Sequence, residues 1–177
     1  CETIGAMAIF SNVLEMVGHT PMLEINRLDT GPCRLLLKLE LLNPGGSIKD
    51  RIGISMIEEA EQRGDIRPGD TIVEATAGNT GLGLALVAAQ KGYKLVLVLP
   101  DKMSQEKIFN LRAMGAEVVL TRSDVAKGHP EYYQDLGRRI VIPNINSNLR
   151  TLLLLVPGLV INLLGAKILW QYRSLWT

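Results

Sequence analysis

Residues 71–99 read TIVEATAGNTGLGLALVAAQKGYKLVLVL, and this stretch decides the fold. It opens on an apolar run, 71–75, and closes on another, 94–99, stopped by Pro100. Between them lie a loop of small and polar residues, 76–80, and a helical segment from about Gly81 to Lys91 that Gly92 ends. Strands that are apolar along their whole length, rather than in alternation, are buried on both faces. Two such strands joined by a helical crossover make a parallel βαβ unit. The alternation extends outward in both directions. Towards the C-terminus, Ser104 is placed to cap a helix running to Met114, with Gly115 behind it, and 117–121 (EVVLT) is a further strand. Towards the N-terminus, 34–40 (RLLLKLE) reads as a strand and Asn43-Pro44-Gly45-Gly46 as a turn. A helix from about Ile48 to Arg63 follows, with Ile48, Ile52, Met56 and Ala60 four apart on one stripe. Ser47 is a good N-cap, Asp50 stands where a capping box wants its second member, and Gly64 is a suitable stop. The expected fold class is α/β, a parallel sheet flanked by helices.

The chain has 177 residues, enough for one domain or for a domain and part of a second. Hydrophobic residues make up 47%, so a substantial core is available and global disorder is not expected. Nineteen basic and eighteen acidic residues leave a net charge of +1, without the basic excess of a nucleic-acid binder. Cys1 and Cys33 have no metal-site or redox spacing and suit plain thiols in a reducing cytoplasm; a structural disulfide is the alternative. The first ten residues carry Glu2 and lack the basic start and apolar run of a secretory leader. Met7 could be the natural start, and the six residues before it are set aside. From about Gly137 the charges thin out, and the apolar tail does not continue the strand-helix pattern. Its residues 152–169 are broken by Pro157, Gly158, Asn162, Gly165 and Lys167, too often for a membrane span of about 20 apolar residues.

Two places carry chemistry. Lys49 follows a Gly-Gly turn and lies in the first turn of a helix, where backbone N–H groups carry partial positive charge. A neutral lysine amine is what Schiff-base formation needs, and the turn glycines let a flat ligand approach the backbone. The plainer reading is a solvated charge near Asp50 and Glu58. The second place is Thr76-Ala77-Gly78-Asn79-Thr80-Gly81, between a strand and a helix. It offers backbone N–H groups, two hydroxyls and an amide at a helix N-terminus, a ready site for a carboxylate or phosphate. The plainer reading is a tight turn in which the glycines serve geometry alone. Gly78, Gly81 and Gly83, with Asp101 after the next strand, also permit a dinucleotide-binding oxidoreductase, although G-x-x-G-x-G departs from the G-x-G-x-x-G spacing. His19 reads as a turn residue, since no second ligand stands at metal spacing. His129 lies just before a helix. Of Tyr132 and Tyr133, one is expected to pack and the other to be wet. Met103 and Met114 read as core or interface filler and Arg138-Arg139 as a solvated face.

Taken together, Asn43-Pro44-Gly45-Gly46-Ser47-Ile48-Lys49-Asp50-Arg51 resembles the lysine motif of the cysteine synthase/cystathionine β-synthase family. Thr76 to Gly81 resembles the family's substrate-carboxylate loop. Val17-Gly18-His19-Thr20-Pro21, residues 101–107 and residues 111–117 support the likeness, which covers about residues 10–136. Residues 74–81 and Lys127-Gly128-His129-Pro130-Glu131-Tyr132-Tyr133 look more like bacterial cystathionine β-synthase-type members than plain cysteine synthases. The resemblance implies the fold of type II pyridoxal 5'-phosphate enzymes. Lys49 would bond the cofactor as a Schiff base and then serve as acid and base at the substrate α-carbon. Asn79 would hydrogen-bond the cofactor's ring hydroxyl. Thr76, Ala77, Gly78, Asn79 and Thr80 would form the substrate-binding loop, with Ala77 standing where many members have serine. The implied reaction is β-replacement on serine or an activated serine, with homocysteine giving cystathionine or sulfide giving cysteine. The implied setting is a cytoplasmic homodimer that uses neither nucleic acid nor membrane. Residues 7–45 would open the larger domain, 46–140 form the smaller one, and 141–177 a divergent tail. The family's glycine-rich phosphate loop and its Gln-Phe-x-Asn-Pro-like segment have no counterpart here, so a truncated, catalytically inactive fragment is the alternative function.

Overall fold

In the computed structural model of the chain, residues 9–76, 78–144 and 151–153 are described, with side chains to residue 140. Two short antiparallel strands come first, β1 (Met22–Glu24) and β2 (Leu36–Lys38). They are followed by α1 (Lys49–Gln62), β3 (Thr71–Ala75), α2 (Asn79–Lys91), β4 (Lys94–Pro100), α3 (Gln105–Ala113) and β5 (Glu117–Thr121). Helix α4 (Tyr133–Asn144) and β6 (Thr151–Leu153) close the described part. The larger sheet has the order β5-β4-β3-β6, and every neighbouring pair in it is parallel. The α/β class with helices on both faces of a parallel sheet is therefore what the chain adopts.

Three expectations need correction. The strand read at 34–40 is only Leu36–Lys38, and it lies in the separate antiparallel ribbon. The chain turns into a 3-10 turn at Glu40–Leu42 because the Glu40 side chain is drawn into a polar cluster with Arg51. Met22, Leu23 and Leu37 of the ribbon are exposed, unlike the strands of the large sheet. Of the expected stripe on α1, Ile52 and Ala60 are buried, but Ile48 is exposed and Met56 only half-buried, and Gly53 and Ile57 join the buried face instead. The stripe is turned because α1 seats a glycine, not a large side chain, against its neighbour. Finally, the strand-helix alternation continues past Gly137 through α4 to β6. The apolar run at 154–169 lies outside the described residues; among those described, no helix is long and apolar enough to cross a membrane.

The sheet separates two cores. On one face, Ile72, Leu95, Leu97 and Leu99 meet Ile57 of α1, Leu84 and Val87 of α2, and Ile108 and Leu111 of α3. On the other, Val73, Ala75 and Val98 meet Tyr133, Leu136 and Ile140 of α4. Each fully buried aliphatic side chain contributes about 1.5–3 kcal/mol. Gly64 takes a positive φ of 74°, and the Asp65 N–H returns to the Ala60 carbonyl at 2.9 Å, the wrapped stop expected for α1.

Helices α1 and α2 pack on each other more extensively than any other pair of described elements. A Cβ on Gly53 would lie 2.7 Å from the Gly83 carbonyl group. A Cβ on Gly83 would lie 2.5 Å from the Lys49 carbonyl oxygen. Both contacts are with backbone, which cannot swing aside, so only glycine permits this crossing. Gly53→Ala is expected to destabilise the chain by about 1–3 kcal/mol through overpacking. Urea unfolding followed by circular dichroism would show this as a lower midpoint with the slope preserved.

Candidate active site

The loop after β3 stands at a distinguished place. From β3 the chain steps outward through β4 to β5, then returns through α4 to place β6 on the other side of β3. Strand order reverses at β3, and in open α/β sheets ligands bind at the carboxyl ends of the strands at such a reversal. Residues 76–80 leave from this point.

Helix α2 begins at Asn79, two residues earlier than the sequence suggested, so Asn79 and Thr80 lie in its first turn rather than in the loop. The first N–H groups of a helix have no intrahelical acceptor. Gly78 is the cap residue and is extended, and its N–H is donated to Thr76 Oγ1 at 3.3 Å. Thr76 and Thr80 are buried, whereas Asn79 is exposed. Ala77 lies outside the described residues. The Thr76 methyl lies 3.0 Å from where a Gly81 Cβ would be, and Gly83 faces Lys49 and Asp50. These glycines therefore serve strand-helix and helix-helix packing, not the phosphate approach that a dinucleotide site requires.

Lys49 opens α1, whose cap residue is Ile48 rather than the expected Ser47; the Lys49 N–H donates to Ser47 Oγ at 3.2 Å in the turn before it. The Asp50 side chain does not complete a capping box with Ser47. It turns back to accept the Gly45 N–H at 2.5 Å and braces the turn that precedes Lys49. The Lys49 side chain is half-buried. Among the described residues its ammonium has no hydrogen-bond or ion-pair partner. Neither acid named for the plainer reading takes it: Asp50 faces Gly45, and Glu58 lies 3.6 Å from Lys91. Gly83 lies four residues beyond Asn79, one turn along the same stripe of α2. Since the Lys49 backbone rests on Gly83, the two helix starts bring Lys49 and Asn79 to one locality.

A polar cluster holds the Lys49 turn from below. Arg51 forms a two-pronged pair with Glu40, its Nε and one terminal nitrogen each 2.9 Å from a carboxylate oxygen. Thr20 Oγ1 and Asn43 Nδ2 donate to the same carboxylate, at 3.0 and 2.9 Å. Asn43 Oδ1 accepts the Gly18 N–H at 2.8 Å, and Arg51 donates to the Gly18 carbonyl at 2.9 Å. Gly18 has a φ of +90°, and a Cβ there would lie 2.6 Å from the Arg51 guanidinium. The stretch Val17 to Pro21 thus serves to anchor the lysine turn. The Arg51 hydrogen bonds hold the Glu40 carboxyl down at about 2, against the opposing effect of burial.

Two other carboxyl groups are buried without full satisfaction. Asp50 is wholly inaccessible, and its Oδ1 has no partner. Burial raises its pKa, and the Glu40 charge adds to the rise. Glu74 on β3 is 2% exposed, its Oε2 has no partner, and burial pushes its carboxyl up to about 8. Alternation puts it on the Ile72 face, paired in register with Leu97. Tyr133 packs on the α4 face against Val73, Ala75 and Val98, and burial raises its hydroxyl. With Tyr132 it lines a cavity of about 190 Å³ beside Pro100, Lys102, Arg122 and Ser123. Both tyrosines thus stand at the sheet's edge, on the opposite side from α1 and α2. Among the described residues, no group of three or more potential ligands could hold a metal ion. The sequence reading overlooked Glu74, the Gly53–Gly83 crossing and Lys107, whose Nζ lies 3.4 Å from Asn79 Oδ1. For Glu74 a signal was present, a lone acid in an otherwise apolar strand.

The comparisons with known proteins place the chain in a family. The family model described as pyridoxal-phosphate dependent enzyme matches residues 13–150. The chain belongs to the pyridoxal-phosphate-dependent enzyme family. Among curated members it is 49% identical over 141 residues to cystathionine β-synthase of Rattus norvegicus, a match covering 77% of this chain and 25% of that protein. It is 52% identical over 129 residues to cysteine synthase of a Flavobacterium species, covering 72% of this chain and 42% of that one. Among solved structures, a hydrogen sulfide-producing enzyme from Fusobacterium nucleatum matches with a TM-score of 0.69 at 40% identity, covering 85% of this chain and 46% of that chain. O-ureido-L-serine synthase matches with a TM-score of 0.68 at 34% identity, covering 81% and 44%. The chain spans from a quarter to under half the length of these relatives, and the match takes in both sequence motifs.

Two titration outcomes follow. Glu40 is lowered in the folded state, so its stabilisation is complete above its ordinary value of 4.5 and is lost as pH falls through about 2. Glu40→Gln should cost about 1–3 kcal/mol at pH 7, and the gap to the parent should close towards pH 2, as urea unfolding at several pH values would show. Glu74 is raised, so the folded state favours its neutral form, and stability is lost as pH rises from 4.5 through about 8. Glu74→Gln should match the parent's melting temperature near pH 4, exceed it increasingly up to about pH 8 and then level off, measured by thermal scans.

Proposed function

We propose that this chain carries the cofactor lysine and the substrate loop of a pyridoxal-phosphate-dependent β-replacement enzyme. The observation that carries the reading is the seating of the Lys49 backbone on Gly83, one turn into α2 from Asn79, with the Lys49 amine half-buried and without a partner among the described residues. The residues fit the cofactor: one amine is available for its aldehyde, and the side-chain amide of Asn79 is exposed for its ring oxygen. Lys49 Nζ would hold the aldehyde carbon covalently. Bound there, pyridoxal phosphate supplies an electron sink for the substrate α-carbon. Lys49 Nζ would also be the group that takes the substrate α-proton and returns it. Backbone N–H groups and hydroxyls of Thr76, Ala77, Gly78, Asn79 and Thr80 would hold the substrate carboxylate at the α2 start. Thr76 contributes mainly by shaping the loop, because its hydroxyl is buried and accepts the Gly78 N–H.

The substrate is proposed to be serine or an activated serine, and the incoming group a thiol such as homocysteine or sulfide. The names of the relatives support this, since they include cystathionine β-synthase and cysteine synthase. We take residues 46–140 as the smaller domain of such an enzyme and a cytoplasmic homodimer as its setting. The competing reading is a chain that takes the cofactor on its lysine without catalysis.

The purified chain, mixed with pyridoxal phosphate, is expected to develop a visible absorption band. Borohydride reduction and peptide mapping should then place the label on Lys49, and Lys49→Ala should abolish both. A folded chain labelled elsewhere, or not at all, would overturn the proposal. Turnover of serine with homocysteine or sulfide separates an active enzyme from the inert fragment.

A further inference from the structure

We infer that Lys107 is a positioning residue that fixes the orientation of the Asn79 amide, so that the NH2 group, not the carbonyl, is presented to a ligand at the start of α2. This rests in part on the site proposed above and extends it to a residue of a different helix.

Lys107 is the third residue of α3, and its Nζ reaches across to Asn79 Oδ1 at 3.4 Å. It is half-buried, and among the described residues it has no other hydrogen-bond or ion-pair partner. An ammonium has three donors and no acceptor, whereas an amide has an acceptor oxygen on one side and a two-donor nitrogen on the other. The group that faces Lys107 must therefore be the oxygen. The reverse orientation would set a donor against a donor and a positive charge. With Oδ1 occupied, the two Nδ2 hydrogens remain, and no acceptor takes them among the described residues.

The consequence is selectivity for the ligand atom. Asn79 becomes a donor-only contact with a positive charge behind it, next to the N-terminus of α2. Such a contact favours an electron-rich, ionised oxygen and disfavours a hydroxyl that must donate. A planar ligand with an acidic ring hydroxyl would be held in its ionised form. Asn79 alone, free to turn its amide, would accept either form. The residue type at 107 thereby sets both affinity and the ionisation state of the bound ring.

The test compares the parent chain with Lys107→Met and Lys107→Arg, by two readouts. The first needs no cofactor. The Asn79 side-chain NH2 resonances, assigned by their loss in Asn79→Ala, should move in Lys107→Met and return towards the parent position in Lys107→Arg. The second is titration with pyridoxal phosphate followed by absorbance. Lys107→Met should raise the dissociation constant about 2- to 10-fold, the range expected from losing one partly exposed charged hydrogen bond. It should also move the pH midpoint of the visible band upward, with Lys107→Arg restoring both and all three proteins melting alike. Asn79 resonances unchanged in Lys107→Met would overturn the inference. So would an unchanged dissociation constant and band midpoint in a parent chain labelled on Lys49. Failure of the parent to label on Lys49 would sink the proposed function instead, and the resonances of the cofactor-free chains would then decide the role of Lys107.

Discussion

The meeting of two helices without side chains between them is the constraint on which the rest depends. Gly53 and Gly83 each lie one turn inside their helix, so the contact sets where the two helix starts fall. One start carries Lys49 and the other Asn79. A methyl group at either glycine would push the backbones apart and separate the amine from the amide before touching either. The spacing of the two helix starts is therefore held by an absence of side-chain atoms one turn away from each.

The second support is polar. Glu40 gathers Arg51, Thr20 and Asn43, and through them Gly18, so that the entry segment, the turn before Lys49 and the body of α1 share one cluster. A cluster of this kind specifies direction as well as proximity, because each donor must meet a particular oxygen. It explains why a short ribbon with little buried apolar surface is attached to the domain at a fixed place. Two carboxyl groups near the site, Asp50 and Glu74, are handled in the opposite way, through burial with few partners. The neighbourhood thus contains one acid held strongly ionised and two that burial pushes toward the neutral form.

Much of this was legible in the sequence, and the limits have physical causes. Strands β3, β4 and β5 were read nearly to the residue because each is a short, largely apolar run bounded by glycine, proline or a polar loop. Lys49 and Asn79 were singled out by the resemblance of their two motifs to the cysteine synthase/cystathionine β-synthase family, since by position alone the lysine read as a solvated charge. The β1–β2 ribbon was misread, since a run such as RLLLKLE signals extended chain without saying which sheet it joins. The helix-helix glycines were invisible as such, because periodicity registers large apolar residues and a buried glycine looks like a gap. Lys107 was quoted only within a supporting stretch, because a contact across 28 positions leaves no local trace. Glu74 could have been found, as a charge within a run that is otherwise apolar.

The order of strands across the sheet has a consequence for the birth of the molecule. Strands β3, β4 and β5 are neighbours in both sequence and space, so they can pair as soon as they leave the ribosome. The far side of β3 stays unpaired until residues 151–153 have been made, because among the described residues it is β6 that fills that position. During this interval the nascent chain presents an apolar strand with unpaired backbone groups, the kind of surface that recruits chaperones or other unfinished chains.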